Sequence, residues 1–199
     1  MATHASAKKS ASSIIKKPSA KTPSRVVRQK DACDLLDAEH KAVKKMFDEY
    51  ETLTQSRNRS PIKKRQLADQ ICMALSVHAT IEEEIFYPAA RGAIKDNALL
   101  NEATVEHASA KDLIAQIRGM DAGDDLFDAK VTVLGEYIDH HVKEERTELF
   151  PKMRRTKLDL VGLREQMQRR KEELMAEPEP PAATPEADLS SSEQLVQAL

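Results

Sequence analysis

His78-Ala79-Thr80-Ile81-Glu82 and His141-Val142-Lys143-Glu144-Glu145 decide how this chain is read. Each is an H-x-x-x-E pair with a proline ten residues after its histidine, Pro88 in the first and Pro151 in the second. Each is preceded, 38 or 34 residues upstream of that histidine, by a Glu-His dipeptide followed by a lysine: Glu39-His40 with Lys44, and Glu106-His107 with Lys111. Residues four apart lie one turn above each other on the same face of an α-helix. The duplicated pattern therefore predicts two helical hairpins facing each other, with four imidazoles and two carboxylates at one level.

Counting supports the common level. Two residues of an antiparallel hairpin lie side by side when they are equally far from the turn between them. The midpoint of His40 and His78 is residue 59, inside Ser56-Arg57-Asn58-Arg59-Ser60-Pro61, where Ser60 suits an N-cap and Pro61 a first helical position. The midpoint of His107 and His141 is residue 124, beside Gly119 and Gly123, which can supply the positive backbone angles of a helix stop. The centre of His78/Glu82 and His107 averages to about residue 93, next to Gly92. Each residue of misalignment displaces a ligand by about 1.5 Å, so these registers allow the side chains to converge.

Every one of these residues also sits on the apolar stripe of its helix: Leu36, His40, Val43, Phe47 and Tyr50; Ile71, Leu75, His78, Glu82 and Ile85; Leu100, Thr104, His107, Ala110 and Ile114; Val131, Leu134, Ile138, His141, Glu145 and Leu149. His140, one residue off the stripe, is turned away by about 100°. The predicted helices run over 31–55, 61–90, 97–118 and 125–153, with Pro88 and Pro151 closing the second and fourth. A weakly amphipathic segment follows from Leu158 to Met175. Short connections between long helices predict an all-α, up-down-up-down four-helix bundle with a short extra C-terminal helix and disordered tails.

The tails differ in charge. Residues 1–30 carry eight Lys or Arg and no acid, whereas 176–199 carry five acids and no base, although the net charge is only −2. The organisation is thus a basic disordered arm over 1–30, the bundle over 31–155, an accessory helix over 156–175 and an acidic, Pro/Ala-rich tail over 176–199. The arm can be read as loose nucleic-acid binding through phosphate charge, as a targeting peptide, or as a solvated tail. Having no aromatic residue for base stacking and few arginines, it fits the solvated tail best. No apolar run approaches the roughly 20 residues that span a bilayer, so no membrane partner is expected. Cys33 and Cys72 lie too far apart along this bundle for a disulfide and read as reduced thiols of a cytoplasmic protein.

Imidazole and carboxylate without thiolate suit iron, manganese or zinc. The stoichiometry favours two metals: of twelve octahedral positions, four His nitrogens and two bridging carboxylates supply eight and a bridging water, hydroxide or oxo group two more, leaving about two for an outside ligand. Two buried carboxylates without cations would be costly, and no Lys or Arg shares their stripe, since Lys44 and Lys111 reach outward from one turn away.

The pattern His, H-x-x-x-E, His, H-x-x-x-E resembles the hemerythrin-like, or HHE cation-binding, domain over about residues 31–153. The resemblance implies a non-haem di-iron centre, oxo- or hydroxo-bridged, with His40, His78, His107 and His141 as terminal ligands and Glu82 and Glu145 as bridges. It further implies dioxygen, nitric oxide or peroxide as the small ligand. Oxygen-carrying members have a second histidine on the third helix, four residues from the first, where this chain has Ala103 and Lys111. Glu106 or Glu83 could fill that place but both fall beside the stripe, on the surface. Tyr50 and Tyr137, on core faces, could donate to a bound ligand. The expectation is a protein that binds a diatomic gas for sensing or for handling iron and oxidative stress. The alternatives are a peroxide-scavenging di-iron enzyme, or a metal-regulated protein whose basic arm contacts nucleic acid.

Overall fold

The computed structural model describes residues 28–56 and 60–176, which form five helices joined by turns, with no strand among the described residues. Helix α1 is Ala32–Gln55. Helix α2 runs from Pro61–Ile81 through a π-helical turn, Glu82–Phe86, into Tyr87–Ala93. Helix α3 is Asn97–Arg118, and α4 runs from Phe127–Glu144 through a second π-helical turn, Glu145–Leu149, into Phe150–Met153. Helix α5 is Leu160–Ala176. Most of the basic arm, the acidic tail and the centre of the first turn lie outside the described residues.

Sequence-local chemistry sets the helix starts. Asp31 caps α1 by accepting the Asp34 N–H while Asp34 accepts the Asp31 N–H, a reciprocal capping box. Ser60 followed by Pro61 opens α2, and Asp96 caps α3. No side chain caps α4, which begins at Phe127 rather than at 125. The α3–α4 turn uses no positive φ at Gly119, whose φ is −80°, nor at any other described glycine, contrary to expectation. Instead Arg65 of α2 donates to the carbonyls of Ile117, Arg118 and Met120, satisfying acceptors that the end of α3 leaves open.

Pro88 and Pro151 do not end their helices. Proline lacks an N–H and its ring crowds the carbonyl four residues back, so an uninterrupted α-helix is strained there. Each helix responds with a wide turn just before the proline: Tyr87 N–H bonds to the Glu82 carbonyl and Phe150 N–H to that of Glu145, five residues back rather than four. The α-helix then resumes, with the proline in its first turn.

The core is divided in two by a polar layer. One apolar cluster contains Leu36 of α1, Ile81, Phe86 and Ala90 of α2, Leu100 of α3, Leu149 and Met153 of α4, and Leu163 and Met167 of α5. The other contains Val43 of α1, Ile71 and Leu75 of α2, Ile114 and Ile117 of α3, and Phe127, Val131 and Leu134 of α4. Helices α1 and α3 pass from the first cluster to the second, and α2 and α4 pass back. Between the clusters, on all four helices, lie the buried residues His40, His78, Glu82, His107, His141 and Glu145. Helix α1 packs on α2 and α4, α3 on α2 and α4, and α5 lies against α1 and α2.

Candidate metal centre

The six residues expected as ligands converge, and each is almost fully buried. They form two overlapping groups, His40, His78, Glu82 and Glu145 on one side and Glu82, His107 and His141 on the other, each offering ligand atoms within 4.8 Å of one another. Two ligands on opposite sides of one ion, each bound at about 2.1 Å, are about 4.2 Å apart, so the spacing suits coordination after a small contraction. Glu82 belongs to both groups. Its Oε2 lies 3.3 Å from Nε2 of both His78 and His107, and Glu145 Oε2 lies 3.4 Å from His40 Nε2 and 3.8 Å from His141 Nε2.

The tautomers are set from outside the layer. Glu39 of α1 accepts from His78 Nδ1 at 2.8 Å, Glu83 of α2 from His107 Nδ1 at 3.0 Å, and Glu106 of α3 from His141 Nδ1 at 2.8 Å. A carboxylate can only accept, so in each pair the proton resides on Nδ1. The Nε2 atoms then turn inward: His40 and His78 face each other at 2.9 Å, His107 and His141 at 3.3 Å. Glu39 is backed by Lys171 of α5 at 2.7 Å, and Glu83 by Lys111 at 2.6 Å. Glu83 and Glu106 are thus neither ligands nor idle surface groups. Sitting one residue off the stripe, each reaches the imidazole of the next helix, a role missed in the sequence; for Glu106, as for Glu39, the repeated Glu-His dipeptide was the available signal.

Electrostatics marks the centre as incomplete without a cation. Both Glu82 oxygens and Glu145 Oε2 are buried without a hydrogen-bond partner. Burial, reinforced by the Glu82 carboxylate, pushes the Glu145 carboxyl well above the usual range. Burial opposes charge on His78, yet the facing Glu82 and Glu39 outweigh it and raise that imidazole above its ordinary value. A divalent ion supplies the charge that these orphaned oxygens lack, so the residues present fit the metal that the sequence implies.

One tyrosine occupies the centre, and it is neither of those expected. The Tyr87 hydroxyl lies 3.2 Å from His107 Nε2 and donates to Glu145 Oε1 at 3.3 Å; burial, then Glu82 and Glu145, push its ionisation well above normal. Tyr50 instead donates to Asp128 at 2.7 Å beside Lys64, remote from the layer, and Tyr137 is 49% exposed. His140 lies on the surface near Glu106 and Glu144, as its register predicts. Both cysteines are buried and neither forms a disulfide.

A helical bundle with a buried, two-lobed layer of imidazoles and carboxylates is the scaffold of a cation-binding protein. The chain belongs to the hemerythrin family: the hemerythrin HHE cation-binding domain matches it over residues 31–153. A hemerythrin HHE cation-binding domain-containing protein from Mycobacterium kansasii has a similar fold, with a TM-score of 0.60, 20% sequence identity, and coverage of 73% of this chain and 88% of that one. A DNA nickase from Nostoc sp. is 30% identical over 121 residues, 61% of this chain; the chain spans only 33% of the nickase's length. Among the described residues no helix is long and apolar enough to cross a membrane.

Proposed function

We propose that this protein is a non-haem di-iron protein, with His40, His78, Glu82, His107, His141 and Glu145 as ligands. The observation that carries the reading is Glu82, common to both ligand groups and without a hydrogen-bond partner on either oxygen, which suits a carboxylate bridging two cations. The alternation of α1 to α4 between the two apolar clusters supports an up-down-up-down bundle over 31–155, with α5 as the accessory helix outside it. An iron pair in this cage supplies redox and Lewis-acid chemistry toward dioxygen, nitric oxide or peroxide. The chain's own contributions are a buried layer between two apolar clusters, three imidazoles locked in one tautomer, and the Tyr87 hydroxyl within reach of His107 and Glu145. Such a site suits sensing a diatomic gas, or handling iron and oxidative stress, in the cytoplasm.

Elemental analysis of protein purified without oxygen tests this directly. About two iron ions per chain are expected, together with a diferric absorption spectrum that changes on exposure to nitric oxide. Protein that takes up no metal, or equal metal in Glu82→Ala and His141→Ala variants, overturns the assignment; manganese or zinc in place of iron would correct the cofactor only. Catalytic peroxide loss dependent on Glu82 would favour the scavenging enzyme instead.

A second reading is favoured by the Nostoc relative, described as a DNA nickase, together with the eight basic residues of 1–30. In it the bundle is a metal-dependent module whose arm contacts nucleic acid through phosphate charge. A gel shift that weakens steeply with salt and disappears on deletion of residues 1–30 is expected; no shift with the intact chain removes it.

A further inference from the structure

The ligand pattern of one half maps onto that of the other, and a position flanking it breaks the match. A shift of 63 residues carries His78, Glu82 and Pro88 onto His141, Glu145 and Pro151, and a shift of 67 carries Glu39, His40 and Lys44 onto Glu106, His107 and Lys111. Under the first shift Glu83 falls on Arg146. Glu83 is the carboxylate that accepts from His107 Nδ1 and is held by Lys111. His107 corresponds to His40, so the acceptor for His40 would have to come from residue 146, and residue 146 is a cation.

The consequence is visible at His40. Its Nδ1 is buried without a hydrogen-bond partner, whereas the Nδ1 atoms of His78, His107 and His141 each meet a carboxylate. His40 Nε2 faces the centre, which leaves Nδ1 on the opposite edge of the ring. His40 also lines a cavity of about 270 Å³ between α1 and α4, together with Lys44, Lys143, Arg146, Asp139 and Thr147, with Nδ1 itself covered by the surrounding side chains. Three cations face one carboxylate in that lining. Asp139 receives Lys44 at 2.7 Å, and Arg146 is anchored by Asp37 at 2.6 Å from outside the lining. An imidazole that ligates a cation through Nε2 carries its proton on Nδ1. This step rests on the metal assignment above. His40 then holds a buried N–H donor that lacks an acceptor, an expensive arrangement unless something external supplies one.

We propose that the α1–α4 cavity binds a small carboxylate-like monoanion that plays for His40 the part Glu83 plays for His107. One oxygen accepts from His40 Nδ1–H as the side chains covering it move aside, and the charge is balanced by Lys143 with help from Arg146 and Lys44, which Asp37 and Asp139 already hold in place. The occupant orients one ligand of the centre, so the metal site responds to the concentration of a small anion that does not itself touch the metals.

Formate is the simplest probe. The full-length chain is loaded with zinc, which is diamagnetic, its metal content is measured, and formate is titrated in by calorimetry at ionic strength held constant with chloride. Imidazole nitrogen-15 correlation spectra are recorded alongside. Saturable binding of one formate per chain is expected, with the His40 Nδ1–H signal moving most among the four imidazoles. Arg146→Glu, which restores the carboxylate found in the other half, should abolish binding while zinc content stays unchanged. Lys143→Gln, a surface change that leaves Arg146 in place, should weaken binding about fivefold to tenfold. Formate heats that are absent, or identical in the wild type and both variants, overturn the proposal, as does a shift centred on another imidazole. A chain that keeps its zinc yet ignores formate loses this inference alone, whereas one that retains no zinc fails the metal assignment and takes the inference with it.

Discussion

Tyr87 and Phe150 are structural equivalents: each lies five residues beyond a candidate bridging glutamate, donates its backbone N–H to that glutamate's carbonyl, and packs its ring against an imidazole of the layer. Tyr87 meets His107 with ring centroids 5.4 Å apart, and Phe150 stacks on His40 at 6.1 Å with the planes nearly parallel. Only Tyr87 carries a hydroxyl. The two halves of the centre therefore differ chemically, a polar group approaching the His107 side and a wholly apolar ring the His40 side. The layer thereby has a polar group at hand on its His107 side and none on the ring that stacks on His40.

The Tyr87 hydroxyl is expected to serve ligand chemistry more than assembly. Tyr87→Phe keeps the ring and removes one neutral hydrogen bond, a loss of about 1 kcal/mol, or roughly 2–4 °C in melting temperature for a chain of this size. Metal content should be unchanged, and the absorption spectrum of the iron-loaded protein and its response to nitric oxide should change. A variant that spectroscopically matches the wild type would reduce Tyr87 to a packing residue.

The outer carboxylates give a graded test of the centre. Glu39 holds the His78 imidazole and is itself held by Lys171, so burial, which opposes its charge, is outweighed by those two partners and its carboxyl lies below the usual range. Glu39→Gln removes the charge but keeps the shape, and should weaken metal binding about 10- to 100-fold. Lys171→Ala acts one step further out and should cost less. Competition with a chelator of known affinity ranks the three proteins, and equal affinities would mean that α5 and the outer carboxylates are not coupled to the metals.

How far the sequence could be read follows from the same geometry. The six layer residues were legible because each obeys two constraints at once, the 3.6-residue period of its own helix and an equal distance from the joining turn. Tyr87 obeyed neither, since the π-helical turn at Glu82–Phe86 inserts one residue into the period and brings both Phe86 and Tyr87 inward. The clue was present in Pro88 and Pro151, which a period count treats as helix ends but which a continuing helix accommodates by widening the turn before them. Tyr50 failed for the opposite reason. It lies on the correct stripe but ten residues from His40, about 15 Å along the axis, and finds Asp128 there instead. The partnerships of Glu39, Glu83 and Glu106 are interhelical, and a stripe drawn on one helix cannot reveal them.

The first turn of α1 gives a pH-dependent test of stability away from the metals. Asp31 is buried as an N-cap, and burial raises its pKa, but hydrogen bonds from Arg154 and the Asp34 N–H outweigh that and hold the carboxyl below the usual aspartate range. A carboxyl depressed in the folded state binds fewer protons folded than unfolded, so its contribution is present above the unfolded value of about 3.9 and is lost as the pH falls through the folded value. Asp31→Ala should therefore cost about 1–2 kcal/mol at pH 7, roughly 2–8 °C in melting temperature, through loss of the cap and its partners. The gap between wild type and variant should narrow as the pH falls below the aspartate range. Denaturant melts of both proteins across that interval decide the matter, because an undiminished gap at the acid end would place the contribution of Asp31 in packing and not in its charge.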